Sequence, residues 1–104
     1  MNGFQLTFFT EQSRRHAGKH LVDWLVHLTE ELNLPGVTVI PASEGMGHHH
    51  RVHSARFFEL ADQPVSVVMV VSAEEADRLF ERLRKENVRL FYTKTHIEFG
   101  MLGE

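Results

Sequence analysis

The chain contains no cysteine, so it has no disulfide framework, no thiolate nucleophile and no thiolate metal site. Any metal would have to rest on His, Asp, Glu, Met or backbone oxygen. Positive charge is not in excess: 11 Lys and Arg stand against 14 Asp and Glu, a formal charge of −3. That balance, with mixed signs along the chain and no polybasic arm, argues against nucleic acid as a partner. No apolar run approaches the roughly 20 residues that span a bilayer, and the N-terminus lacks the basic start and apolar stretch of a signal peptide. A soluble, cytoplasmic protein without membrane insertion is the expectation. Catalytic signatures are missing too: there is no Gly-x-Ser-x-Gly elbow, no His-Glu-x-x-His helix and no Walker lysine motif. The carboxylates lie mostly on helix faces beside basic neighbours, which gives no basis for a paired acid and base. An enzyme is not expected.

What is present fits a single domain over residues 1–104, a length sufficient for one hydrophobic core. Phe4 to Phe9 reads as a first strand, with Thr10 or Ser13 as the cap of a following helix. From about Arg14 to Asn33, Leu21, Leu25, Leu28 and Leu32 recur at helical steps, widened by Trp24, and Pro35-Gly36 stops the pattern. Val37 to Ile40 reads as a short strand and Ser54 to Leu60 as a candidate returning strand. Val65 to Val71 is nearly all apolar, as a central strand covered on both faces would be. Ser72-Ala73-Glu74-Glu75 matches a capping box for a second helix through Leu83, with Glu74–Arg78 and Glu81–Lys85 spaced for weak support on its solvated face. Residues Arg89 to Phe99 alternate strictly, Phe91, Thr93, Thr95, Ile97 and Phe99 against Leu90, Tyr92, Lys94, His96 and Glu98.

This order predicts an α+β fold, a ferredoxin-like βαββαβ sandwich with an antiparallel sheet and two helices on one face. The other face of the sheet then needs a partner, and a closed homo-oligomer supplies one, setting loops of neighbouring subunits beside shared clefts.

Half of the eight histidines fall in the run Gly45-Met46-Gly47-His48-His49-His50-Arg51-Val52-His53, which has no apolar periodicity. Two glycines permit tight turning or close approach to a ligand. Neutral imidazole is the commonest metal ligand. His48, His49, His50 and His53 are therefore candidate ligands for zinc, copper or nickel, with a solvated polar loop as the simpler alternative. His20, Asp23 and His27 share a helical spacing that could also hold a metal, although an ordinary polar helix face explains them more simply. Arg14, Arg15, His16 and Lys19 crowd the expected start of the first helix against its dipole, a conflict that a bound phosphate or carboxylate would relieve. Lys94 is a phosphate candidate on the polar face of the last strand.

Pro35 to Ile40, the Gly45-Met46-Gly47 turn and the His50 to Ala55 continuation, with the capped helix at Ser72 and the final strand, resemble the PII-like signalling proteins of the nitrogen-regulatory PII superfamily. The resemblance implies a trimer in which residues 43–56 form the long loop between the second and third strands. It also implies an adenine nucleotide or other small anionic effector in the subunit clefts, and a target protein such as a transporter or an enzyme. Gly45 and Gly47 would lie at the base of that loop, close to the ligand backbone, and Arg51 or Lys94 would meet its charge. Binding would change the order of the loop and so its contact with the target. The turn Arg84 to Arg89 lacks the glycine-rich phosphate turn of nitrogen-regulatory members, which favours a diphosphate, a monophosphate or another anion over a triphosphate. The alternative reading is a histidine-loop metal-response protein, similar in fold to the CutA-like proteins.

Overall fold

The computed structural model describes residues 1–42, 44–46, 52–54 and 63–103. Its elements are β1 (Asn2–Glu11), β2 (Arg15–His16), β3 (Lys19–His20), α1 (Leu21–Glu31), β4 (Thr38–Pro41), β5 (Glu44–Met46), β6 (Val52–Ser54), β7 (Pro64–Val71), α2 (Ala73–Lys85) and β8 (Phe91–Glu98). Four of them form the main antiparallel sheet in the order β4-β7-β1-β8, with β1 paired to β7 on one edge and to β8 on the other. This is the expected ferredoxin-like sheet. Both helices lie on one face of it, against Leu6 and Phe8 of β1 and Val65, Val67, Met69 and Val71 of β7. Leu21, Leu25 and Leu28 of α1 are buried there with Ala76, Leu79 and Leu83 of α2. None of the described helices is long and apolar enough to cross a membrane.

The register explains the two faces of each strand. Leu6 stands opposite Met69 and Lys94, and Phe8 opposite Val67 and Tyr92, so these residues share the helix side. Gln5, Thr7 and Phe9 share the other side with Val70, Val68 and Ser66 and with Thr95, Thr93 and Phe91. Among the described residues no helix covers that second side. Ser66, Val68 and Val70 are half-buried, and Phe9, Ile40 and Phe91 are exposed at 42, 48 and 68%. Among the described residues strand β7 is thus covered on one face only, where its composition suggested two.

The first helix is shorter than its sequence pattern. It begins at Leu21 rather than near Arg14, and neither Thr10 nor Ser13 caps it, because Thr10 belongs to β1 and the N-cap is His20, with no side-chain cap bond. The intervening residues fold back as the β2–β3 hairpin, with His16 paired to Lys19 across Ala17 and Gly18. Both turn residues have positive φ, 52° at Ala17 and 79° at Gly18. That is the requirement of a two-residue primed turn, and it removes the segment from a right-handed helix.

Both helices end on an asparagine in the left-handed region, Asn33 and Asn87, each with φ 56°. The Asn33 amide donates to the Glu30 carbonyl and the Leu34 amide to that of Thr29. The Asn87 amide donates to Arg84 and the Val88 amide to Leu83 in the same way. These are Schellman closures, so α1 stops ahead of Pro35 rather than at it. At the other end of α2 the expected capping box is formed: Ser72 Oγ accepts from the Glu75 amide at 3.2 Å and Glu75 Oε1 from the Ser72 amide at 2.8 Å.

The hairpin and the helix readings of Arg14 to His20 give opposite answers to one substitution. Gly18→Ala is expected to destabilise the protein by about 1–2 kcal/mol through left-handed backbone strain alone, since a Cβ there meets nothing within 4 Å. In a helix the same change would stabilise by roughly 1 kcal/mol. Urea unfolding of the two proteins decides the sign.

Candidate functional site

One end of the sheet gathers three connections. Strand β1 runs out there into the β2–β3 hairpin, β4 and β7 lead into and out of residues 42–63, and α2 turns into β8 through residues 86–90. Backbone bonds tie the first two together. The Gln12 amide donates to the Gln63 carbonyl at 3.0 Å, and the Ala42 amide to that of Pro64 at 2.9 Å. The Arg14 guanidinium donates to the Arg89 carbonyl, linking the hairpin to the α2–β8 turn.

Cations concentrate at this pole. Residues 14 to 20 contain Arg14, Arg15, His16, Lys19 and His20 and no carboxylate. Arg15 and His20 lie opposite each other on one face of the hairpin, His16 and Lys19 on the other. The Arg15 guanidinium donates to the Gly18 carbonyl at 2.8 Å, which stiffens the turn and leaves further donors of the fork available. His20 Nδ1 lies 3.0 Å from the Gln12 carbonyl oxygen. It must therefore carry the ring proton there, and Nε2 faces Arg15 at 3.5 Å. His16 reaches inward, with Nε2 3.2 Å from Glu86 Oε1 and its ring edge-on to Trp24 at 4.5 Å between centroids.

Glu86 is the hub of this arrangement. It caps α2 and accepts from His16, and its Oε2 accepts from Arg82 Nε at 3.3 Å. Arg82 in turn reaches Glu31 at the end of α1 at 3.1 Å. The hydrogen bond from His16, followed by that from Arg82, holds the Glu86 carboxyl below its ordinary range. Arg82 is raised by its bonds to Glu31 and then Glu86. Because these groups are at most half-buried, the network fixes positions more than it adds stability.

Of the expected site residues, Arg14, Arg15 and Lys19 do converge at one pole, but on a hairpin and not on the first turns of α1, so the conflict with the helix dipole does not arise. Gly45 is paired directly with His53 across the β5–β6 ladder. Gly47, His48, His49, His50 and Arg51 lie outside the described residues, as does most of the candidate strand Ser54–Leu60. Lys94 is mid-strand on the helix side, its Nζ 4.2 Å from the Phe4 ring centroid and 5.7 Å from that of Phe80. It is engaged with two aromatic faces there rather than set at the pole. Among the described residues no three His, Asp or Glu side chains are placed to hold a metal, so His20, Asp23 and His27 form no such group. His20 precedes the helix that the spacing assumed.

A depression of about 420 Å³ lies at the opposite end of the sheet, lined by Asn2, Gly3, Phe4, Ala73, His96, Ile97 and Glu98. Its one formally charged residue is Glu98, which does not suit an anion. Glu86 and His16 were not singled out as partners by spacing, since they are 70 residues apart. The sequence signal that was available is the Ala17-Gly18 pair, which brings His16 back towards α2.

Solved structures share this architecture. A protein of Thermus thermophilus assigned as PII-like and signalling superposes with a TM-score of 0.68 at 22% identity, over 93% of this chain and 88% of that one. CPII, a nitrogen regulatory PII-like protein of Thiomonas intermedia, matches in two structures, both bound to ADP, AMP and bicarbonate. Identity is 16% in each. One has a TM-score of 0.71 over 97% of this chain and 91% of that one, the other 0.68 over 96% and 97%. The chain therefore has the fold of the PII-like signalling proteins. Residues 3–98 match the model of the DUF190 family, described as uncharacterized ACR, and the chain belongs to that family. No curated protein matches it.

The depressed Glu86 carboxyl makes a signed prediction. Its contribution to stability is present above the ordinary carboxyl value of 4.5 and is lost as pH falls through the lowered folded-state value. The stability difference between the wild type and Glu86→Gln in urea unfolding should be present near pH 7 and vanish once acidification has passed through that lowered value. A difference that persists at the acid end would assign it to packing.

Proposed function

We propose that the protein is a PII-like regulator, not a catalyst, that binds a small anionic effector at the hairpin pole and signals to a partner protein through residues 43–56. The observation that carries this reading is the convergence of the cationic hairpin, the roots of the 42–63 excursion and the α2–β8 turn at one end of the sheet. Charge-assisted bonds from Arg15 and Lys19 to an anion, with Arg51 from the loop, supply affinity. Gly45 and Gly47 allow close backbone approach. An adenine nucleotide is the proposed effector class, a di- or monophosphate in particular, supported by the ADP and AMP held by CPII. An effector that prefers one arrangement of the loop shifts its population by the difference in affinity, and the partner reads that shift.

The assembly proposed is a homotrimer closed over the uncovered sheet face, which would bury Phe9, Ile40 and Phe91. The cytoplasm is the proposed compartment. Native mass spectrometry should find three copies. Phe9→Asp combined with Phe91→Asp should give monomers, and a monomeric wild type would remove the shared clefts.

Isothermal calorimetry with ADP, AMP, ATP, cyclic AMP and bicarbonate tests the effector. Binding of at least one nucleotide is expected, with Arg15→Ala, Lys19→Ala or Arg51→Ala weakening it about 10- to 100-fold, the loss expected for one charged hydrogen bond. No heat with any of the five would remove the effector reading.

A further inference from the structure

At the end of the sheet away from the hairpin, the depression of about 420 Å³ is framed by β1, β8 and the start of α2. Asn2 stands opposite Glu98 and Phe4 opposite His96 in the β1–β8 pairing, so these four residues share the helix side with Leu6. Ala73, the first residue of α2, closes the rim with a side chain too small to fill the space. The volume falls within the range of small-molecule sites, roughly 300 to 1,000 Å³. Phe4, Ala73 and Ile97 give the depression its apolar surface, and Asn2, His96 and Glu98 supply the polar groups.

The chemistry of that lining is one-sided. Glu98 is exposed and makes no ion pair among the described residues. The Asn2 side chain has no hydrogen-bond partner among them either. The Phe4 ring already draws positive charge, with Lys94 Nζ 4.2 Å from its centroid, and the His96 ring lies 4.6 Å from it at 50°. A carboxylate, an amide oxygen and an aromatic face are acceptors for an ammonium or guanidinium, and the apolar neighbours take the body that carries it. A metal ion is the poorer occupant, because among the described residues His96 and Glu98 have no third His, Asp or Glu beside them. Lys94 does not line the depression and is engaged with Phe4 and Phe80. It is the like charge that a cation bound there meets.

We propose that this depression binds a small organic cation, an ammonium or guanidinium on an apolar body, with the Glu98 carboxylate as its charge partner. The Asn2 amide oxygen is the second acceptor, and the Phe4 and His96 rings flank the body. The site differs from the hairpin pole in place and in sign: Arg14, Arg15 and Lys19 gather there without a carboxylate in residues 14 to 20, whereas here a carboxylate is the one formal charge. An exposed carboxylate confers selectivity for charge more than affinity, so weak binding is expected. Nothing in this inference rests on the effector reading above.

Chemical-shift titration of the isotopically labelled full chain with phenethylammonium tests the site, with phenethyl alcohol and hydrocinnamate as probes of similar body that are neutral and anionic. The ammonium should reach half-saturation at about 1–10 mM and perturb Gly3, Phe4, Ala73, His96 and Glu98 while leaving the hairpin amides unmoved. The alcohol and the carboxylate should bind at least about threefold more weakly. Glu98→Gln keeps the shape of the site and should weaken the ammonium about three- to fivefold, the upper range for an exposed charge pair. Lys94→Met removes the neighbouring like charge and should tighten it about twofold. Both positions are exposed, so neither substitution threatens the fold. Absence of shifts around the depression up to about 50 mM ammonium overturns the proposal. Equal affinity for the three probes also overturns it, as does unchanged affinity in Glu98→Gln. Nucleotide binding at the hairpin pole, present or absent, bears on none of these results, and the two proposals fail separately.

Discussion

Strand β1 is hydrogen-bonded along both edges, to β7 and to β8, while one of its faces carries the helices. Leu6 and Phe8 are fully buried at that crossing. A strand so placed has no freedom of register, because a one-residue slip would turn Leu6 and Phe8 out and Thr7 and Phe9 in. Every element of the hairpin pole is positioned from its C-terminal end. The hairpin follows it directly, Gln12 and Gln63 bond beside it, and β8 begins opposite Phe9.

Helix termination completes the placement. A left-handed Asn33 ends α1 and a left-handed Asn87 ends α2, and Arg78 donates to the Leu32 carbonyl at 2.8 Å between them. Arg82 and Glu86 carry the connection onward to His16. The individual contacts are exposed or only half-buried, and weak. Their value is geometric, since together they bring a cationic hairpin and the roots of a long excursion to the same end of the sheet.

Much of this was legible in the residues. The alternation of Phe91 to Phe99 separates the two sets of residues that share a face, and Ser72 with Glu75 marks the start of α2, because both signals depend on local geometry alone. The sheet order followed from the sequence of elements. Residues 14 to 20 misled because polar side chains are compatible with the outer face of a helix, and the leucine stripe begins only at Leu21. Ala-Gly is also a weaker turn signal than Asn-Gly. Lys94 was read on a polar face because alternation does not say which face the helices cover, and on the helix side Phe4 and Phe80 receive it. The His16–Glu86 contact depends on that hairpin and on the end of α2 together, so no spacing rule reaches it.

Amide chemical shifts of the isotopically labelled full chain, followed during titration with ADP and then AMP, report where an effector binds as well as whether it does. Binding at the hairpin pole predicts perturbations concentrated in residues 12–20, in the roots around Ala42 and Gln63, and in the 86–90 turn. Perturbations confined to the opposite depression around Asn2, His96 and Glu98, or none at all, would contradict it.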